Sequence, residues 1–127
     1  MKAINKIKQA STIIEDLFSK HISRIVLDYE DPRIKLILND GVIVYIQYNN
    51  HDQYSYNIMF SNETLDRCRF DNYDDKWQVE SKPHHFHPRL LKEAFFSPMS
   101  GDPTKDLEIL FSLLISGKMF NQKFTFR

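Results

Sequence analysis

The period of the hydrophobic pattern is the strongest constraint on this chain, because it switches from about 3.6 residues to two and back again. Between residues 33 and 60, apolar side chains occupy alternate positions in short runs. Such alternation is typical of strands that bury one side and expose the other. An Asn-Asp-Gly turn at residues 39–41 joins two runs, and Asp-Gly is a strong hairpin signal. Connections this short join only antiparallel neighbours, so the middle of the chain is predicted to be a meander.

The predicted meander lies within residues 23–80 and contains five or six strands. Turn-forming residues, such as Asp31-Pro32 and the polar stretch 72–75, separate one apolar run from the next. The strands are predicted at residues 25–30, 33–39, 42–48, 54–60, 65–72 and 76–80. The tail from residue 120 to residue 127 is either a last short strand or a frayed end.

Amphipathic helices are predicted at both ends of the chain. Residues 3–20 repeat apolar side chains at helical spacing, and neither Pro nor Gly interrupts them. Residues 103–116 begin after Asp102, which suits the N-cap, and end before Gly117, which suits the C-terminal cap. The predicted buried stripes are Ile4, Ile7, Ser11, Ile14, Leu17 and Phe18 in the first helix, and Leu107, Leu110, Leu114 and Ile115 in the second.

These elements predict a single α+β domain over residues 1–127, with both helices on one face of the antiparallel sheet. Two helices cover only one face, and aromatic side chains recur on neighbouring strands. We therefore expect the uncovered face to carry many aromatics and to be closed by a partner or by a second copy in a homodimer. Core or dimer packing is favoured for these residues over stacking on bases, because the region is acidic; they are Tyr45, Tyr48, Tyr54, Tyr56, Phe60 and Phe70.

Composition argues against several classes of protein. The 127 residues carry 17 basic and 17 acidic side chains, without the basic excess of a duplex-DNA binder. No apolar run approaches the roughly 20 residues of a membrane span, and no secretory signal is expected. The one cysteine, Cys68, cannot form an internal disulfide, so a cytoplasmic protein is favoured. The P-loop, Gly-x-Ser-x-Gly and His-Glu-x-x-His motifs are missing, which disfavours the corresponding enzymes.

Three of the five histidines, His84, His85 and His87, lie within four positions and between two prolines. Imidazole both accepts and donates protons near neutral pH. Two such groups could deprotonate a 2′-hydroxyl and protonate a 5′-leaving oxygen without a metal. In an extended segment, His85 and His87 point the same way and His84 points the other way, so two of the three can share a site.

Two other interpretations of this segment stay open. His-x-His is a familiar pair of metal ligands, and Asp71 or Asp74 could supply a third. The segment could also be a plain structural loop, because Pro83 and Pro88 are expected to exclude a central strand here.

A second group of candidates could bind an anionic substrate. Arg67 and Arg69 are two residues apart and share one face of a predicted strand, where their guanidinium groups could hold phosphate or pair with acidic residues across the sheet. Asp71 and Arg89 complete the predicted substrate-binding set. Cys68 points to the opposite face and is expected to be a buried, inert thiol.

Four short segments, taken in order, suggest a family. They are Val-Ile-Val-Tyr-Ile at 42–46, Tyr-Ser-Tyr-Asn at 54–57, Arg-Phe-Asp-Asn at 69–72 and Pro-His-His-Phe-His at 83–87. Their order and spacing resemble those of the TumE-like proteins of prokaryotic toxin–antitoxin modules over residues 25–118. The chain departs from the family pattern at Asn57, where a histidine is common, and at residues 73–75, where a second histidine pair is common.

This resemblance implies a small cytoplasmic toxin that is encoded beside a helix-turn-helix antitoxin. Our leading hypothesis is a toxin that acts on RNA through His84, His85 and His87, with no metal or other cofactor. The alternative is a non-catalytic α+β interaction module that dimerises or binds a protein partner through its aromatic sheet face.

Overall fold

The computed structural model describes residues 1–74 and 76–126. Asp75, in the predicted polar connection, and Arg127, at the end of the predicted tail, lie outside the described residues. Within that part of the chain the elements are α1 (Ala3–Phe18), β1 (Ile22–Asp28), β2 (Arg33–Leu38), β3 (Ile43–Tyr48), β4 (Tyr54–Met59), β5 (Arg67–Asp71), β6 (His85–His87), β7 (Phe95–Phe96), α2 (Pro103–Ser116) and a short 3₁₀ turn at Lys118–Phe120.

The described strands form one antiparallel meander of seven strands, in which each strand pairs with its sequence neighbours. The predicted α+β class and antiparallel pairing are confirmed. The β2–β3 hairpin turns where the sequence indicates, because Gly41 adopts a φ of 89°. Its N–H donates to the carbonyl of Leu38 over 3.0 Å, and the N–H of Leu38 donates to the carbonyl of Val42 over 2.9 Å. This three-residue loop with glycine last is a common hairpin type.

The prediction for the sixth strand is wrong in position. Residues 76–80 form no strand, and His85–His87 forms β6 between β5 and β7. The prolines at 83 and 88 were expected to exclude a central strand, because proline cannot donate to a ladder. They flank the three paired residues instead of interrupting them, so every residue of β6 keeps its N–H. The segment is therefore a short central strand.

Both helices pack on the face of the sheet that carries the aromatic side chains. Tyr48, Tyr54, Tyr56 and Phe70 are fully buried there, so the expectation of an open face rich in aromatics is wrong. Strand alternation explains the outcome, since these residues share a face with the aliphatic core positions of their own strands. Tyr45 lies on the other face, among half-buried polar neighbours.

The two helices contact each other and begin and end close to their predicted limits. The buried residues are Ala3, Ile7, Ala10, Ile14 and Phe18 in α1, and Pro103, Asp106, Leu107, Leu110 and Leu113 in α2. Ile115, which was predicted to be buried, is exposed. Asp102 caps α2 by accepting the N–H of Thr104 over 3.0 Å, and Gly117 ends the helix with a φ of 72°.

A buried carboxylate joins α2 to the sheet. Asp106 is inaccessible to solvent and accepts the hydroxyl of Tyr56 over 2.7 Å. It also accepts the backbone N–H groups of Ser100, over 2.9 Å, and Gly101, over 2.7 Å. The hydroxyl of Tyr48 lies 2.9 Å from that of Tyr56 and extends the network. Every oxygen of the buried carboxylate is therefore hydrogen-bonded, as burial requires.

The chain beyond α2 packs against the far end of the same face and does not form the predicted last strand. The Phe126 ring lies 5.8 Å from that of Phe70 and 5.0 Å from that of Phe86, measured between centroids, and Phe124 also contacts Phe86.

Within the described residues, neither helix combines the length and apolar character that crossing a membrane requires.

We expect Asp106→Asn to lower the free energy of unfolding by about 2–4 kcal/mol, because an amide leaves buried N–H donors without an acceptor. Urea denaturation followed by circular dichroism measures the change. Asp102→Ala is the matched control on the same helix: it removes one exposed capping bond and should cost about 1 kcal/mol. An Asp106→Asn variant no less stable than Asp102→Ala would contradict this account.

Candidate functional site

The face of the sheet turned away from the helices has a polar character, and its end at β5 and β6 carries the candidate residues. The register places Asp71 opposite His85 and Arg69 opposite His87. Because side chains alternate along a strand, all four project from the same face. We call Asp71, His85 and His87 the open-face cluster.

Asp71 is the centre of the cluster. It is nearly fully buried, and its Oδ1 lies 2.6 Å from Nε2 of His85. Its Oδ2 lies 2.6 Å from Nε of Arg69, whose side chain reaches solvent. The carboxylate thus contacts an imidazole on one side and a guanidinium on the other.

Backbone carbonyls hold the second nitrogen of each imidazole. Nδ1 of His85 lies 3.0 Å from the carbonyl oxygen of Pro83. Nδ1 of His87 lies 3.0 Å from the carbonyl oxygen of Lys92 and 3.2 Å from that of Glu93. A carbonyl oxygen only accepts hydrogen bonds, so Nδ1 carries a proton in both rings. Nε2 is then the nitrogen of each ring that is available for chemistry.

The pKa values of the two imidazoles are shifted in opposite directions. Burial disfavours the charged form of His85, but the hydrogen bond and the negative charge of Asp71 outweigh burial and raise the pKa of His85. Burial also acts against the charged form of Asp71, and the contacts with His85 and Arg69 overcome it and lower the pKa of Asp71. Burial, together with the charge of His85, lowers the pKa of His87. The surroundings therefore favour the charged form of one imidazole and the neutral form of the other.

The cluster is compact and partly covered. One potential metal-ligand atom from each of Asp71, His85 and His87 lies within 4.8 Å of the others. The two imidazole rings meet edge to face, with centroids 4.9 Å apart. Trp77 contacts both rings, with centroids 6.2 Å from His85 and 5.4 Å from His87. Its indole therefore shields the cluster from water.

A groove of about 560 Å³ runs along the open face and reaches the cluster through Arg69. Its basic side chains are Arg33, Lys35 and Arg69, and one acidic side chain, Asp28, also lines it. Tyr45 presents its ring in the same groove, with Nζ of Lys35 5.9 Å from the ring centroid. The groove thus has a net positive lining, although residues 25–80 as a whole are acidic.

Asn57 lines the groove and, like its neighbour Arg69, has incomplete hydrogen bonding. It lies opposite Arg69 in the β4–β5 register. Among the described residues, the buried Oδ1 of Asn57 has no hydrogen-bond partner, and Nε of Arg69 is buried beside Asp71 without an aligned hydrogen bond. Buried polar atoms are normally paired. An acceptor and a donor are therefore adjacent where the groove meets the cluster.

Three of the predicted site residues, His84, Arg67 and Arg89, bond to groups outside the open-face cluster. His84 faces the other way and bonds through Nδ1 to the hydroxyl of Tyr54 over 2.9 Å. Arg67 donates to the carbonyls of Pro88 and Leu91, each over 2.9 Å.

Arg89 pairs with Asp66 and donates to the carbonyl of Phe120 over 3.1 Å. Cys68 is buried on the helix side, as expected, and burial raises the pKa of its thiol to about 12. The structure therefore brings together His85, His87, Asp71 and Arg69 from the predicted set.

Comparison with known proteins identifies the family. The family model described as Toxin TumE matches residues 11–113, which include the whole sheet, the open-face cluster and part of each helix. The chain belongs to the TumE toxin family. None of the curated proteins and none of the solved structures with which it was compared gives a match. The resemblance found in the sequence is confirmed, and membership of a TumE toxin family implies an antitoxin partner.

Several residues of this TumE-family site escape sequence reasoning. Trp77 lies in a polar segment, and no spacing rule connects it with the histidines. Arg33, Lys35 and Tyr45 belong to the region of residues 25–80, whose acidic net charge hides their common groove. Asn57 was noted only as a departure from the family pattern. The available signal was strand alternation, which places these strand residues on the open face.

Proposed function

We propose that this TumE-family protein is a toxin that cleaves RNA at the open face of its sheet. The observation that carries the proposal is the convergence of Asp71, His85 and His87 beside a basic groove that ends at Arg69. Titratable groups with perturbed pKa values that meet at a concave surface are typical of catalytic sites. A groove with basic and aromatic lining suits a nucleic-acid strand.

Single-stranded RNA fits this groove better than a duplex does. Lys35, Arg33 and Arg69 can contact successive phosphates, and the ring of Tyr45 offers a surface on which an unpaired base can stack. The whole chain has no net charge, so it lacks the broad basic surface on which duplex binding depends. Exposed loops and single-stranded segments of RNA are therefore the proposed substrates.

The chemistry follows from the 2′-hydroxyl of RNA. The 2′-oxygen attacks phosphorus, its proton passes to a base at the open-face cluster, and the bond between phosphorus and the 5′-oxygen breaks. The 5′-oxygen takes up a proton from the conjugate acid of that base or from water at the cluster, and the products are a 2′,3′-cyclic phosphate and a 5′-hydroxyl. Arg69 borders both the groove and the cluster, where its charge stabilises the phosphoryl oxygens in the transition state.

The proposed setting is the cytoplasm, where a helix-turn-helix antitoxin encoded beside the toxin would neutralise it. A homodimer is also part of the proposal, although the aromatic face on which it was first based is buried. A dimer interface would have to bury more than roughly 1,000 Å² on another surface. The competing hypothesis of an interaction module loses support for the same reason, since its aromatic surface is occupied by the helices.

We expect induced expression of the protein to arrest growth and His87→Ala to restore it. His87 pairs with Arg69 in the sheet, so it lies on the side of the cluster nearest the basic groove. It is not part of the hydrophobic core. Growth curves, together with sequencing of cellular RNA ends, measure the effect. His51→Ala, at an exposed turn outside the cluster, is the matched control and should remain toxic.

Equal toxicity of the two variants, with both proteins present at equal levels and folded by circular dichroism, would contradict the proposed site. Arrest of growth without new RNA ends would contradict RNA as the target.

We expect Lys35→Glu to weaken binding of a single-stranded RNA oligonucleotide and to reduce the salt dependence of binding by about one ion. The reason is that Lys35 lines the groove and can contact one phosphate. Fluorescence anisotropy over a series of salt concentrations measures both quantities. Lys105→Glu is the matched control, because Lys105 is exposed on α2 and remote from the groove. Equal losses for the two variants would mean that the groove does not bind RNA.

A further inference from the structure

We infer that the open-face cluster binds a divalent transition-metal cation through Asp71, His85 and His87. The inference deepens the proposed function, on which its catalytic role rests, and replaces the metal-independent chemistry favoured by the sequence. The donor set is two imidazoles and one carboxylate, which suits Zn²⁺ and its neighbours and does not suit Mg²⁺, a cation that prefers oxygen.

The donors are already close to a coordinating arrangement. One ligand atom from each residue lies within 4.8 Å of the other two. Zinc lies about 2.0–2.2 Å from such donors, so the ligand atoms of a tetrahedral site are separated by roughly 3.3 Å. Nε2 of His85 and Oδ1 of Asp71, at 2.6 Å, would move apart and His87 would move in. Closing a gap of 4.8 Å to the separation of a tetrahedral site takes side-chain movements of about 1.5 Å.

The surroundings of the rings match those of metal-binding histidines. A histidine ligand normally donates its other N–H to a carbonyl or carboxylate, which fixes the tautomer and the direction of the ring. Both rings do so here, His85 to the carbonyl of Pro83 and His87 to the carbonyls of Lys92 and Glu93. Nε2 of each ring is thereby left as the ligand nitrogen. These carbonyls come from two separate loops, one before β6 and one after it. The orientation of the rings therefore does not depend on a single local turn.

Asp71 also offers one carboxylate oxygen to a bound cation. Asp71 faces Arg69 through Oδ2, which leaves Oδ1, the oxygen directed at His85, to contact a metal. The carboxylate is buried and pre-oriented by the guanidinium, as outer-shell partners orient metal ligands. Three protein ligands leave further coordination positions open. A phosphoryl oxygen of RNA bound beside Arg69 would be polarised by the metal at such a position.

Isothermal titration of the tag-free, EDTA-treated protein with ZnCl₂ tests the inference. We expect one Zn²⁺ per chain, and no binding of Mg²⁺ under the same conditions. Trp77 is the one tryptophan of the sequence and contacts both imidazoles, so its emission should change with the same stoichiometry. Co²⁺ should quench Trp77 and give the visible absorption of a site with nitrogen and oxygen ligands.

His87→Ala should weaken Zn²⁺ binding by more than the roughly 10–100-fold that loss of an outer-shell partner costs. His51→Ala should bind Zn²⁺ as the unmodified protein does. Because Asp71 is buried, Asp71→Asn serves as a second variant only where circular dichroism shows a folded protein. Absence of Zn²⁺ binding to the folded protein, or binding that survives His87→Ala unchanged, would overturn the inference.

The two proposals fail separately. Zinc binding without toxicity or RNA cleavage would leave the metal site standing and reject the proposed function. RNA cleavage that persists in EDTA, with no zinc bound, would leave the proposed function standing and reject the metal, since the imidazoles would then transfer the protons themselves.

Discussion

The buried carboxylate of Asp106 is the interaction on which the arrangement of helix and sheet depends. A carboxylate that is removed from water must be fully hydrogen-bonded, and here the partners come from β4 and from the residues just before α2. These bonds allow little freedom in where α2 lies across the sheet. Because Tyr56 lies on the aromatic face, these bonds hold α2 on that face and leave the other face for function.

The separation of the two faces explains why an aromatic sheet carries a polar site. On β4, Tyr54, Tyr56 and Ile58 point toward the helices, and Ser55 and Asn57 point away from them. The same alternation on β5 places Phe70 in the core and Arg69 and Asp71 on the open face. One strand pattern therefore supplies the stability of the core and the composition of the site. The core side gives rigid strands, and rigid strands hold the open-face side chains in register.

Most of the fold could be predicted from the sequence because each strand pairs with the strands that precede and follow it in the chain. The alternation and the Asp-Gly turn are local signals, and they predicted β2 and β3 closely. The site was predicted only in part. Asp71, Arg69, His85 and His87 share a face by alternation alone. Arg67 and Arg89 were assigned to substrate, but their partners are carbonyls and a carboxylate brought near by loops whose paths no local pattern specifies.

The prolines around the histidines show how a correct rule led to a wrong prediction and to the most informative part of the site. Pro83 and Pro88 do limit the strand, but three residues suffice, because β5 fixes their register and two of them then face the same way. Where a strand ends, its flanking carbonyls are no longer used by the ladder. The carbonyl of Pro83, just before β6, accepts Nδ1–H of His85, and carbonyls of the loop after β6 accept Nδ1–H of His87. The shortness of β6 thus leaves free the acceptors that orient both imidazoles, so the feature that argued against a strand is the one that organises the cluster.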